Sequence, residues 1–586
     1  MKLSKKILIG ALSILPLAAC SAANTMTDTD TENSSTQTTS TITINPSTQD
    51  LDTSFDTAIG ETITFNGSSI KADGANLSVN GSTLTISGAG DYLISGTLSD
   101  GQIVIAADKE DSVHLFFDGV TLINKDGSPL VVLNADKVVL TLVEGSTNSI
   151  TDGTTYALTG EEDPDAAIFA KDDLTINGSG ALSVKSNAYH GIHGSNEVMI
   201  LDASVSVTSG QDGIKGKDSV VLMDAQISID AKEDGVVSSN AVDQGKGFVA
   251  LDGGSVAITS GLDAIQAETQ VLIKDGDLTI SAGSLASDDD SGKGIKALLD
   301  VSIEGGNLNI TSVGDDTLHS NKTITISGGT LTLDAKDDAI HADETLLING
   351  GNITITASYE GLESSEIIIN DGLLHINASD DGINTSTGTV EYVKGGPNMT
   401  QDDGSTLTIN GGSIVLSALG DGVDCNGNIT MTGGTLIAFG PTATNNATLD
   451  YNQSFTLSGG TILAVGSSGM AQQASSSTIN TVLVNLTTTL QSNTLVAIVD
   501  STGKLVVAFE TIKSASSIVF ASESLANGTY TVYSGGSLSS ALSDQMSLNG
   551  SYTKGTQLTT FTISSTITSV GSAMGGPGGQ IRPGKK

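Results

Sequence analysis

The strongest constraint on this chain is an internal repeat of about 22 residues. An acidic or polar residue, a small residue and an aliphatic residue recur as His190-Gly191-Ile192, Asp212-Gly213-Ile214, Asp234-Gly235-Val236, Asp263-Ala264-Ile265, Lys293-Gly294-Ile295, Asp316-Thr317-Leu318, Asp338-Ala339-Ile340, Glu360-Gly361-Leu362, Asp381-Gly382-Ile383 and Asp421-Gly422-Val423. Successive first residues are separated by 22, 22, 29, 30, 23, 22, 22, 21 and 40 positions. A fixed period of this size marks units that bury their apolar sides against one another, so the chain grows by stacking rather than by enlarging one core.

One unit reads as three short strands, at 213–216, 220–223 and 226–230, separated by Asp218-Ser219, Asp224-Ala225 and Ala231-Lys232-Glu233. Three β-branched runs in one period predict an all-β chain wound as a parallel β-helix. The second and third strands meet at glycine pairs such as Ser327-Gly328-Gly329 and Thr432-Gly433-Gly434, where a sharp corner needs positive φ. Side chains alternate along a strand, so the column from Ile192 to Val423 points inward. The small residue two later, Cys425 in one unit, also points inward, and the residue between them points out. The helix is expected over 61–470, with insertions at 240–247, 284–291 and 386–404. Beyond it the period is lost, and hairpin-like strands predict a small β-sandwich-like module at 478–570, expected as a cap on the exposed end of the helix. A Gly/Pro-rich flexible tail at 571–586 follows.

The first 19 residues combine Lys2, Lys5 and Lys6 with an apolar stretch at 7–17, which reads as a secretory signal rather than a membrane span. Leu17-Ala18-Ala19-Cys20 resembles a bacterial lipoprotein box, which implies lipidation of Cys20 and an extracellular protein tethered to the cell membrane through that anchor alone. The Ser/Thr/Asp-rich stretch 20–60 is expected to be a disordered spacer. A net charge of −41, with a single arginine at Arg582, excludes nucleic acid as a partner, because phosphate binding needs clustered Lys and Arg.

Stacking turns single residues into ladders, because parallel neighbours lie roughly 4.8 Å apart. Carboxylates at that spacing repel unless they protonate or share a cation. The acidic ladder Asp212, Asp234, Asp315, Asp316, Asp337, Asp338, Asp380 and Asp381 is therefore the expected Ca²⁺ site, since flexible all-oxygen coordination favours calcium. The outward row His193, Lys215, Val237, Gln266, Lys296, His319, His341, Glu363, Asn384 and Asp424 is polar at every position but one, as a glycan-binding face would be. Lys215, Lys296, His319, His341, Glu363 and Asn384 are its expected glycan contacts, with Tyr359 beside them. His319 and His341, stacked and flanked by Asp343, are a weak zinc signal without a third well-spaced ligand.

The Leu-Ala-Ala-Cys box, the Asp/Glu-Gly-Ile/Val/Leu starts, the Asn-Gly-Gly corners and the strand-rich tail together resemble the bacterial carbohydrate-binding domain-containing family. The resemblance implies right-handed parallel β-helices related to calcium-dependent pectate lyases, with calcium at the acidic turns. It further implies binding of an acidic pectin-like or cellulosic polysaccharide, without established catalysis. The expected protein is thus a monomeric, non-catalytic polysaccharide binder. Its alternatives are a calcium-dependent uronate lyase with a base among Lys215, Lys232, Lys293, Lys296 and Lys336, or an adhesin or surface spacer.

Overall fold

The computed structural model describes residues 42–572, apart from 56–59, 155, 157, 159, 161–162, 287–290, 389–391, 394–395 and 398–401. The signal segment, Cys20 and nearly all of the expected tail lie outside the described residues. So do parts of the two later insertions. The described chain is all strand and turn, with no helix.

Period becomes register. Ile214–Gly216, Ser219–Met223 and Gln226–Ala231 each pair in parallel with the strand one period earlier and one later. Repetition gives three ladders, and the first carries Ile192, Ile214, Val236 and their successors directly over one another. Every member of that aliphatic column is at most 1% exposed, and with the inward residues of the other ladders it forms one continuous apolar core. Dry stacking of Ile, Leu and Val, at roughly 25 cal/mol per Å² of buried apolar surface, is what holds successive coils together. Cys425 lies buried and unpaired within this core, where burial pushes its thiol pKa up.

Corners follow the glycine rule in a refined form. In most pairs only the second glycine has positive φ, as at Gly329 (89°) and Gly434 (78°). A Cβ at Gly434 would also sit 2.5 Å from the Gly411 carbonyl of the preceding coil, so chain conformation and coil spacing both require glycine there. In two adjacent coils one strand runs through the corner, Phe248–Ser260 and Gln270–Ala282, with a register shift between them there.

Both ends differ from the expected layout. Residues 42–55, read as part of a loose spacer, pack on the second ladder. Asp50 is 2% exposed and accepts hydrogen bonds from Lys137 Nζ (2.8 Å) and Thr175 Oγ1 (2.6 Å), while Asn177 donates to its carbonyl (2.7 Å). Ile44 covers Met199, Leu201 and Val221, and Phe55 meets Phe116 edge-on at 5.2 Å. At the other end the β module is fused to the stack. Ala515–Ser522 pairs antiparallel with Thr461–Gly466, the third strand of the last coil. Outward Ile437, Phe439, Leu463 and Val465 pack with Val496, Phe509, Phe520 and Val532 in a second core.

Candidate functional site

The acidic column just before the first ladder has a structural duty that spacing alone does not reveal. In most coils one carboxylate oxygen accepts the backbone N–H of the equivalent residue in the next coil. Asp212 accepts from Asp234 (3.2 Å), Asp234 from Asp263 (2.9 Å), Asp263 from Lys293 (2.7 Å), Asp316 from Asp338 (3.0 Å) and Asp338 from Glu360 (3.1 Å). Asp381 accepts from Asp421 (2.5 Å), and Asp421 from Ala447. The column thus ties turn to turn, and in several coils the second oxygen faces a side chain of the outward row.

Up to Asp316, that second oxygen finds a cation or a histidine in most coils. Asp165 faces His193 Nδ1 at 2.6 Å, and Asp212 faces His190 Nδ1 at 3.2 Å and Lys215 Nζ at 3.6 Å. Asp263 faces Lys296 Nζ at 3.2 Å, while Asp316 holds both Lys293 Nζ (2.7 Å) and His319 Nδ1 (2.9 Å). Burial by itself raises these carboxyls, but the partners outweigh it: His190 and Lys215 hold Asp212 below its ordinary value, and His319 with Lys293 does the same for Asp316. Asp234 is the exception. Val237 stands in the outward position of its coil, and burial together with Asp263 and Asp212 lifts its pKa to about 7.

Beyond Asp316 the lysines stop and His341 is the last histidine of the row. Burial first, then neighbouring acids, push Glu360 up to about 8, Asp381 to about 6, Asp421 to about 8 and Asp424 to about 7. Oxygens of Asp381, Asp421 and Asp424 lie within 4.8 Å of one another. Asp338 is raised as well, by burial first and then by Glu363, Asp316 and Glu360 around it.

A groove of about 330 Å³ opens where the two regimes meet. It gathers most of the expected residues: Asp315, Asp316, His319, Asp337, Asp338, His341, Tyr359 and Glu363, together with Lys293 and Glu360. His319 and His341 are adjacent in the ladder, their rings edge to face at 5.0 Å. Tyr359 is half exposed at the rim, and its hydroxyl is pushed up to about 12 by the Asp380 carboxylate.

Other expected residues stand apart. Asp380 and Asp381 lie two coils beyond Asp337 and Asp338, so the three double-Asp pairs do not converge on one point. Asp212 with Lys215, Asp234, and Lys296 with Asp263 belong to earlier coils, while Asn384 follows Glu363 in the ladder and donates to Glu360 (2.8 Å). Lys293, which occupies an acid position of the repeat, bridges Asp315 (2.8 Å) and Asp316 and so already neutralises that pair. The expected ligand set also omits Asp421 and Asp424, although their i,i+3 spacing across a turn and first strand is the same as that of Asp316 and His319.

Comparison with known proteins places this geometry in a family. A carbohydrate-binding domain-containing protein from Acetivibrio thermocellus is 38% identical over 120 residues, which is 20% of this chain and 42%, less than half, of the relative. A solved structure, titled as the polysaccharide lyase-like protein from C. thermocellum, gadolinium derivative, is 33% identical and covers 41% of this chain and 96% of its own, with a TM-score of 0.39. The family model for carbohydrate-binding domain-containing proteins matches residues 80–339 and 330–565, most of the chain, and on that match the chain belongs to this family.

Proposed function

We propose that the protein is a non-catalytic, monomeric binder of an extended polysaccharide, held along the outward row of the first ladder in a right-handed parallel β-helix, with Ca²⁺ assisting at the acidic turns. The row itself carries the reading. Lys215, Lys296, His319, His341, Glu363 and Asn384 are partly exposed, lie in one ladder and change character from basic to acidic along it, with the groove at its centre. A polymer of sugars presents hydroxyls at regular intervals, and such a row meets them with donors at one end and acceptors at the other. The acidic pectin-like class suits the basic end, and the cellulosic class suits the neutral hydrogen-bonding positions.

Calcium fits one part of the expected ladder better than the rest. Among the described residues, Asp381, Asp421 and Asp424 offer a cluster of oxygens with no lysine, arginine or histidine paired to them, as a hard cation requires. Asp315 and Asp316 are less suited, since Lys293 stands in the place of the ion. A lysine-based lyase has weaker support. Lys293 is the lysine of the groove, and although burial lowers its pKa, Asp316 and Asp315 outweigh that and keep it protonated, whereas a general base must be free of its proton. The lipid anchor at Cys20 and the extracellular location complete the proposal. They rest on the Leu-Ala-Ala-Cys box.

The test is retention of the purified chain on insoluble polygalacturonate and cellulose, with calcium and with chelator. Retention of the wild type and at least tenfold weaker retention of a Lys215→Ala, His319→Ala, Glu363→Ala variant is the expected result. No retention on any glycan tried would favour the spacer reading, and release of unsaturated uronates would favour the lyase.

A further inference from the structure

Three clusters of histidine and carboxylate place potential ligand atoms within 4.8 Å of one another: Asp165, His190 and His193; Asp316, His319 and His341; and Asp338, His341 and Glu363. The first two are committed to other work. His190 Nδ1 accepts the backbone N–H of Asp212 (3.2 Å), and Asp165 is bound by His193. Asp316 already takes Lys293 and His319 on one oxygen and the Asp338 N–H on the other.

The third cluster is differently placed. His341 Nδ1 lies 3.5 Å from Asp338 Oδ2 and 3.5 Å from Glu363 Oε2, too far for hydrogen bonds. Metal–ligand bonds of ~2.0–2.2 Å put neighbouring ligand atoms of a tetrahedron about 3.4 Å apart. The three groups come from two adjacent coils, on rigid first-ladder and turn positions, and open onto the groove. Their surroundings match a metal's outer shell. His341 Nε2 lies 3.5 Å from Asp343 Oδ1, so a carboxylate stands beside the ring nitrogen that a ligating imidazole leaves free. The other oxygen of Asp338 is fixed by the Glu360 N–H (3.1 Å).

We propose that Asp338, His341 and Glu363 bind a borderline transition-metal dication, Zn²⁺ in class, through one nitrogen and two oxygens, with the fourth position facing the groove. This site is separate from the all-oxygen cluster assigned above to calcium and does not depend on glycan binding. The imidazole selects against calcium, which takes six to eight oxygens. The open position of the dication faces the same groove as Lys293 and Tyr359.

The experiment uses the full purified chain, stripped with chelator and then exposed to Zn²⁺, and in parallel to Co²⁺, in excess calcium. Bound metal is counted after gel filtration, and Co²⁺ is followed by its visible absorption. About one retained zinc per chain and a tetrahedral Co²⁺ spectrum are expected. His341→Ala should weaken binding by about 100-fold or more, beyond the ~10–100-fold typical of outer-shell changes. Glu363→Gln, nearly isosteric, should weaken it by at least tenfold, with circular dichroism reporting that both variants remain folded. Absence of retained zinc would overturn the proposal. So would retention that survives both substitutions or is abolished only by His190→Ala with His193→Ala.

Discussion

Two stretches of one ladder, built by the same repeat, carry opposite electrostatics. From Asp165 to Asp316 most buried carboxylates have a lysine or histidine within 3.6 Å, and Asp165, Asp212 and Asp316 are held below their ordinary pKa. From Glu360 to Asp424 the acid column and outward row hold acids and Asn384 with no cation among them, and Glu360, Asp381, Asp421 and Asp424 are raised to between about 6 and about 8. Turn geometry, backbone caps and coil spacing are shared, so the difference comes from the lysines and histidines that stand in the acid column and outward row of the first stretch. The lesson is that a repeat fixes where charges stand, whereas the cations set among them fix whether they need an ion.

The sharpest way to break the comparison is to supply or withhold calcium. At a thousandfold excess over its dissociation constant, a ligand that binds only the folded state adds about 4 kcal/mol. Thermal unfolding should rise accordingly in the wild type, and Asp421→Asn with Asp424→Asn should abolish most of the response. A response of unchanged size in that variant would place the ion elsewhere. Next in size is removal of the cation from the paired stretch. Lys293→Met strands Asp315 and Asp316, and loss of one partner of a buried pair costs about 3 kcal/mol, measured by denaturant unfolding.

Acidity separates the two stretches by sign. Raised acids in the second stretch hold protons that the unfolded chain releases above a pKa of 3.8, so calcium-free stability falls as pH climbs from about 4 to about 8. The slope is about 1.4 kcal/mol per pH unit for each proton held only by the folded state. Lowered acids of the first stretch work the other way: their contribution is complete above 3.8 and lost as pH falls through the depressed value. Stability curves with and without calcium should diverge toward pH 8, and parallel curves would refute the account. The smallest effect is expected from importing a cation. Asn384→Lys, between Glu363 and Asp424 in the ladder, should stabilise the calcium-free protein by ~1 kcal/mol and reduce the calcium response.

Much of this architecture was legible because parallel stacking makes sequence period and spatial register the same thing. The inward column, the small-residue column with Cys425, the outward row and the glycine corners all follow from counting. Long-range polar docking does not. Asp50 lies in a Ser/Thr-rich stretch that reads as spacer, and its partners Lys137, Thr175 and Asn177 are 87 to 127 positions away, with no periodicity to betray them. Within the site, spacing located the acids but could not apportion their oxygens. In most coils one oxygen of the column acid is spent on the next coil's backbone, and only the fold shows where the other points. Lys293 was nevertheless visible as the lone lysine in the column opening each repeat, one coil below Asp316, and that oddity is the readable trace of the charge pairing. The tail module is legible as a cap on the stack, but the residues that seal it are not, because Phe439 and Leu463 look like ordinary alternate residues until a second sheet covers them.

The central claim is that unpaired acids, not acids in general, create the need for an ion. An anomalous-scattering map from crystals grown in calcium tests it most directly. The account predicts a peak among Asp381, Asp421 and Asp424 and none between Asp212 and Lys215 or between Asp263 and Lys296. Peaks at those paired acids, with the Asp381–Asp421–Asp424 cluster empty, would contradict it.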